Sequence, residues 1–343
     1  MQHETRLMQE AVSAGMLRTE EAIFFVKEKF RKRLAQSLCL VNVSAPIAVL
    51  DGTGINDDLN GVERPLSFPV KGINNQNAVI VQSLAKWKRV RLKEFGIPAD
   101  RGIVTDMRAI RPAEDLSAIH SVYVDQWDWE KHIMAGQRTV KYLRQAVEAI
   151  FETLRQTEKD LYEDFPEYEP VLPEKIHFIH SEELLGLYPE LNARQRENEI
   201  ARKYGAVFII GIGAKLSNGE PHDGRAPDYD DWSTRNEEGF NGLNGDIILW
   251  NPVLKKGFEI SSMGIRVDET AMEKQLSLKG CSDRKKLMFH RMLLGGELPL
   301  SIGGGIGQSR VCMFLLKKKH IGEVQSSVWP ESHNSPELRL NML

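Results

Sequence analysis

The strand-like segments of this chain are joined mostly by hairpins rather than by regular strand–helix–strand crossovers, and that restricts the folds open to it. Residues 102–111 and 120–130 read as the arms of one long hairpin, across a loop led by Pro112. Residues 246–250 and 258–267 read as a second, turning at Asn251-Pro252. Hairpins pair strands antiparallel, whereas a parallel pair needs a crossover of a dozen residues or more. The expected class is therefore α+β, an antiparallel β-sheet flanked by helices. Further strands are expected at 41–50, 78–81, 176–180 and 206–212, and helices at 83–90, 141–162 and 309–319. Ser181 is expected to cap a helix beginning Glu182-Glu183. Thr19 looks like a helix start, followed by Ile23, Phe30, Leu34 and Leu38 at helical spacing. Lys27, Lys29, Arg31 and Arg33 on that helix are expected to form a solvated basic face. Two more helices start at Asp268 and Asp283, the second stopping at Gly295-Gly296.

The 343 residues show no internal repeat and no Pro/Ser-rich linker. A single domain over 1–343 is expected, with 1–15 and 331–343 as peripheral tails. Hydrophobic residues make up 41%, enough for a large core, which excludes disordered and low-complexity readings. With 45 basic against 48 acidic residues the net charge is −3, so no nucleic-acid partner is expected. The longest apolar stretch, 206–214, is far short of a membrane span, and no signal peptide is visible. Cys39, Cys281 and Cys312 are few and widely separated, which fits core packing in a reducing, cytoplasmic setting.

Two phosphate-binding patterns fail: no G-x-x-x-x-G-K-[ST] is present, and Gly211-Ile-Gly213-Ala-Lys-Leu216 has Leu where a dinucleotide fold needs Gly or Ala. That segment reads as a tight strand exit. Gly303-Gly304-Gly305-Ile306-Gly307-Gln308-Ser309-Arg310 is more informative. It reads as a Gly-rich loop running into a helix, where backbone can approach a ligand closely and the helix N-terminus favours an anion. Arg310 in the first turn is poorly placed for the helix dipole alone and suits a phosphate better. Asp246 and Glu259 fall near cross-strand register in the second hairpin, and two carboxylates that close repel unless a cation or an Arg lies between them. Mg²⁺ carrying nucleotide phosphates is the natural candidate, against the plain alternative of an Asp at a strand start and a solvated Glu. Strand period puts Ser261 on the face of Glu259 and Ser262 on the other. In the first hairpin His120, Gln126, Asp128 and Glu130 share one face, opposite Tyr123, Asp125, Trp127 and Trp129, which suggests a polar pocket on one side. Arg111 could reach the same face.

Several long segments, in order along nearly the whole chain, resemble one family. They are Ser83-Leu-Ala-Lys-Trp-Lys-Arg89, His120-Ser-Val-Tyr-Val-Asp-Gln-Trp-Asp-Trp-Glu130, Arg225-Ala-Pro-Asp-Tyr-Asp-Asp-Trp-Ser233, Leu243-Asn-Gly-Asp-Ile247, Glu259-Ile-Ser-Ser-Met-Gly-Ile-Arg266 and Ile302-Gly-Gly-Gly-Ile-Gly-Gln-Ser-Arg310. They resemble the ammonia-dependent asparagine synthetases (aspartate–ammonia ligases), a family similar to the catalytic domain of class II aminoacyl-tRNA synthetases. The resemblance implies a single catalytic domain, a homodimer, and ATP-dependent conversion of L-aspartate and ammonia to L-asparagine through a β-aspartyl-adenylate, releasing AMP and pyrophosphate. It implies Arg111 at the α-phosphate and His120, Asp230, Arg266 and Arg310 on the ATP or AMP side. Ser83, Lys88, Asp128 and Ser262 would bind aspartate, and Asp246 and Glu259 would hold Mg²⁺. Asp57 would position or deprotonate ammonia with Gln126 beside it, or bind the substrate α-ammonium. The loop after Gly54 is slightly longer than the family pattern, so Asp58 competes with Asp57, and the loop 113–119 is one residue shorter. A non-catalytic synthetase-like module binding nucleotide or RNA is the alternative, and a tRNA-charging enzyme a third. The first should have lost ATP-site groups or carry a basic patch, and the second would need room for a tRNA-binding appendage.

Overall fold

The computed structural model describes residues 2–56 and 64–333, with side chains described from residue 15 onward. Its centre is an eight-stranded sheet in the order β1 (Leu40–Asn42), β5 (Gly102–Ile110), β6 (Tyr123–His132), β11 (Ser301–Gly307), β10 (Lys256–Ile265), β9 (Asn244–Asn251), β8 (Ala206–Ile210) and β7 (His177–His180). The six inner strands pair antiparallel, as the hairpins require, while β1 and β7 add parallel edges. Three short strands, β2 (Ala48–Leu50), β3 (Ser67–Val70) and β4 (Gln76–Ile80), form a separate sheet. The strand expected over 41–50 is thus two strands in two sheets. Ala45-Pro46 separates them, since proline lacks the N–H a ladder needs.

One face of the main sheet carries the largest apolar cluster, and Ile179, Val207, Ile209 and Ile248 pack a smaller one on the other face at the β7–β9 end. On the first face, helices α1 (Gln2–Ser37), α3 (Val140–Asp164) and α8 (Gln308–Leu315) pack against Trp127, Trp129, Phe208, Met263 and Ile302. Phe30 stacks on Trp127 with ring centroids 4.4 Å apart. The helix expected to start at Thr19 begins much earlier. Thr19 is interior, and its hydroxyl donates to the Gly15 carbonyl at 3.0 Å. The basic face of α1 is not simply solvated: Lys27 reaches Asp125 at 2.8 Å and Arg33 reaches Asp160 at 2.5 Å. Helix α2 (Ala85–Glu94) covers the opposite, polar face of the sheet.

Four smaller expectations are corrected. The cap of α4 (Ser181–Leu187) is His180, whose ring accepts from Glu182 N–H, so Ser181 is the first helical residue. The helix expected from Asp283 is a short 3-10 turn (Ser282–Lys286) followed by α7 (Met288–Leu294), which ends at Gly295-Gly296 as expected. Cys312 is buried, but Cys39 is exposed, so the cysteines are not all core residues. Most consequential, Gly303–Gly307 is not a loop but the body of β11, a central strand. Its glycines are required by close approach: a Cβ at Gly303 would fall well under 3.0 Å from Glu130 Oε2, and one at Gly305 equally close to Gln126 Oε1. Gly211 and Gly213 have φ of +83° and +110°, the strand exit read from the sequence.

Candidate active site

The register of four strands sets a row of positions across the polar face. Asp128 on β6 lies opposite Gly305 on β11, which lies opposite Ser262 on β10, which lies opposite Asp246 on β9. Directly paired residues share a face, so this row carries two carboxylates and a hydroxyl with a gap at the glycine. The polar groups line a cavity of about 390 Å³. Of the candidate residues, Ser83, Lys88, Arg111, His120, Gln126, Asp128, Asp230, Glu259, Ser262, Arg266 and Arg310 all line it. Asp246 stands one contact behind, its Oδ1 accepting from Arg225 of the cavity wall at 2.5 Å. Asp57 and Asp58 lie outside the described residues. Asn56, just before them, accepts from the backbone N–H of Gln82 at 2.9 Å, beside Ser83.

The two metal candidates are not in register. Glu259 pairs with Ile248 and Asp246 with Ser262, because a bulge between Glu259 and Ser261 inserts an extra residue. The bulge also reverses the expected faces. Ile260 and Ser261 both turn to the core side, leaving Glu259 and Ser262 together on the polar face with Asp246. Burial pushes the Asp246 carboxyl up to about 7, with Arg225 acting against the rise and Glu259 adding to it. Arg225 is the cation that sequence reasoning left without a role. Its signals were its place ahead of Asp228 and Asp230 in a long polar loop and at the head of one of the segments that carry the resemblance.

The inner end of the cavity alternates charges. Lys88, fully buried on α2, donates to Asp128 and to the Gly304 carbonyl, the latter at 3.0 Å. Burial lowers the Lys88 pKa, and the carboxylates of Asp128 and Glu130 restore part of it. Arg266 donates to Glu130 through Nε and Nη2 and to Asp230 through Nη1. Burial alone would raise Glu130, but Arg266, Lys88 and Ser301 outweigh it and hold the carboxyl below its ordinary range. All three guanidinium nitrogens of Arg266 are thus engaged by protein.

The outer end is different. Arg111 follows β5 and donates to the Gln82 carbonyl at 3.3 Å, and its buried Nε finds no partner among the described residues. Asp128 Oδ2 is likewise buried without a partner. Arg310, in the first turn of α8, donates to the Glu259 carbonyl at 2.9 Å and lies 3.5 Å from the Glu259 carboxylate. His120 sits in the loop before β6 rather than on the strand, its Nδ1 2.8 Å from Ser117 Oγ. Burial, with Arg310 nearby, lowers its pKa to about 4, so the ring is neutral at pH 7. Chemically the pocket offers guanidinium groups to an anion at its mouth and a paired ammonium and carboxylate to a zwitterion inside.

A family model described as "Aspartate-ammonia ligase" matches residues 17–338. A curated relative named aspartate–ammonia ligase in Parabacteroides distasonis is 54% identical over 317 residues, 92% of each chain. Another with that name, in Bacteroides fragilis strain YCH46, is 52% identical over 324 residues, 94% of each. Among solved structures, asparaginyl-tRNA synthetase from Pyrococcus horikoshii, complexed with asparaginyl-adenylate, superposes with a TM-score of 0.66 at 14% identity. That match covers 90% of this chain and 68% of the synthetase chain, and at such identity it speaks for the fold, the class II synthetase sheet.

Proposed function

This chain belongs to the aspartate–ammonia ligase family, and on that premise we propose that the polar cavity is where it makes L-asparagine from L-aspartate and ammonia, using ATP. The observation that carries the site assignment is the convergence of eleven expected side chains on one cavity, with Arg111 Nε and Asp128 Oδ2 buried there and without a partner among the described residues. A buried polar atom without a partner costs free energy unless a ligand satisfies it.

The route is through a β-aspartyl-adenylate. A carboxylate is a poor electrophile, so its oxygen first attacks the α-phosphorus of ATP and pyrophosphate leaves. Arg111 stabilises the charge that builds on the α-phosphate. Arg310 binds the triphosphate or adenosine side. Ammonia then attacks the acyl carbon: the C–N bond forms, the C–O bond to AMP breaks with its electron pair going to phosphate oxygen, and nitrogen gives up a proton. Lys88 and Ser83 receive a substrate carboxylate, Asp128 the α-ammonium, and Ser262 adds a hydrogen bond. Gln126 orients the amine side, and Asp57 handles ammonia or the α-ammonium. Arg266, engaged with both Asp230 and Glu130, keeps the inner wall of the cavity in place.

Mg²⁺ belongs to the same proposal. Asp246 and Glu259 are hard oxygen donors on one sheet face, and Glu259 is half-exposed. Among the described residues no group of three or more His, Cys, Asp or Glu could hold a metal, so phosphate oxygens would complete the shell, as Mg²⁺ sites commonly require. The ion would neutralise phosphate charge. A homodimer, a cytoplasmic setting, a single catalytic domain and the absence of a nucleic-acid partner follow from the family reading and the near-neutral charge. No helix among the described residues is long and apolar enough to cross a membrane.

The test is a product assay with ATP, Mg²⁺ and L-aspartate, with and without ammonium and without RNA. Asparagine with equimolar AMP, dependent on ammonium, is expected. Asparagine with ADP would replace the adenylate by an acyl phosphate and overturn the role of Arg111. No asparagine from folded, ATP-binding protein would favour the non-catalytic synthetase-like module.

A further inference from the structure

The side chains that would hold ATP are supported from the far side of the sheet. Arg310 is the third residue of α8, so its direction depends on how that helix begins. The first turn has no side-chain cap from Gly307. One of its N–H groups is satisfied from elsewhere: Asp125 on β6 accepts from Ser309 N–H at 2.9 Å through Oδ1. The other oxygen of Asp125 accepts from Lys27 on α1 at 2.8 Å. Asp125 is 4% exposed, and both oxygens are engaged with protein. A second link runs in parallel. Gln308 donates to Asp106 on β5 at 3.0 Å, and Asp106 lies 3.6 Å from Arg31 on α1. A carboxylate at a helix N-terminus is favoured by the exposed N–H groups and the helix dipole, and one that is also paired and buried fixes the turn more tightly.

We propose that Asp125, held by Lys27, is a positioning residue for Arg310, so that the N-terminal helix α1 helps set the affinity of the site for ATP. This rests on the assignment of Arg310 to ATP made above. Asp125 is adjacent in sequence to Gln126, but strand alternation turns the two side chains to opposite faces. With both carboxylate oxygens taken by Ser309 and Lys27, its effect on the reaction would pass through α8. Without the carboxylate, the Ser309 N–H loses its partner and Lys27 is left unpaired, and the turn can shift. Small displacements of a positioning group are costly in an enzyme site.

The experiment measures KM for ATP and for aspartate separately in D125A, D125N, K27M, R310A and the double variant D125A/R310A. D125A should raise KM for ATP roughly ten- to hundredfold with much less change in KM for aspartate. D125N, which can still accept from Ser309, should recover part of that loss, and K27M should give a smaller rise of the same sign. If Asp125 acts through Arg310, D125A adds little in the R310A background, whereas independent effects multiply. Full multiplicity, an unchanged KM for ATP in D125A, or an equal rise in both KM values would overturn the inference. Should D125A not fold, D125N and K27M decide by the same split. An R310A protein with normal KM for ATP would instead remove Arg310 from the nucleotide site, and both readings would fall at that step.

Discussion

Lys88 and Asp128 form a fully buried pair, and each is the other's main electrostatic support. Lys88→Met leaves a carboxylate buried without its cation, a change that costs about 3–5 kcal/mol. Urea unfolding should show that loss, together with a raised KM for aspartate. Arg111→Ala should lower kcat by roughly 10²–10³, the size seen when a charge-stabilising donor is removed, with Arg111→Lys recovering little because the planar fork is lost. His120 gives a pH dependence. Its folded pKa of about 4 lies below the ordinary 6.5, so the unfolded chain takes up the proton first as the pH falls. Its contribution to stability is complete above about pH 6.5 and is lost towards about pH 4. The stability difference between the wild-type protein and His120→Gln should therefore shift against the wild type across that window, and a constant difference would contradict it. At this scale the residue types were legible, because a phosphate needs Arg and a zwitterion needs both charges. Arg225 was not, because nothing in a polar loop says which cation meets which carboxylate.

Strand β11 is the element on which the site depends. A backbone of glycines lets β6 and β10 keep Gln126, Asp128 and Ser262 facing one cavity with no side chain between them. Gly303→Ala would press against Glu130 and the Trp129 carbonyl, part of a packed and paired interior, and should destabilise by about 1–3 kcal/mol or more. Gly305→Ala meets only the end of the Gln126 side chain, so it should fold with nearly normal Tm but lose activity as Gln126 moves aside. Calorimetry and steady-state rates on the two variants separate the cases. The Gly-rich stretch was visible in the sequence as a ligand-facing segment, yet read as a loop. Glycine is a poor strand former when isolated, and only flanking strands with large side chains make it the residue that fits. The bulge at Ile260 was equally invisible, since a single inserted residue changes facing without changing composition.

Across the whole molecule, Asp228 ties distant parts of the chain together. It accepts from Lys86 of α2 at 3.1 Å, from Arg284 at 3.2 Å and from His290 of α7 at 2.9 Å, at zero exposure. Burial opposes the charge, but Lys86, His290 and Arg284 hold the carboxyl well below its usual range. Asp228→Asn leaves Lys86 and Arg284 facing a neutral amide and should lower stability by about 3–5 kcal/mol. The loss should persist at high salt, because buried pairs are weakly screened. Thermal unfolding in low and high salt reads this, and a loss erased by salt would place the pair in solvent. The acidic run from Asp228 to Asp231 was legible as a polar loop, but not which of its members was structural.

Hairpin spacing and helical periodicity determined the antiparallel core and most helices, while the Gly-rich segment before Arg310 and the segments that carry the family resemblance supplied the candidate residues of the site, because each is a property of neighbours in sequence. The tertiary structure alone decided the split of residues 41–50 between two sheets, the parallel edges, the facing of Glu259 and Ser262, and the partners of Asp246, Asp125 and Asp228. Those depend on which distant groups meet in a low-dielectric interior, where an unpaired charge is costly and the chain settles the pairing only when it is folded.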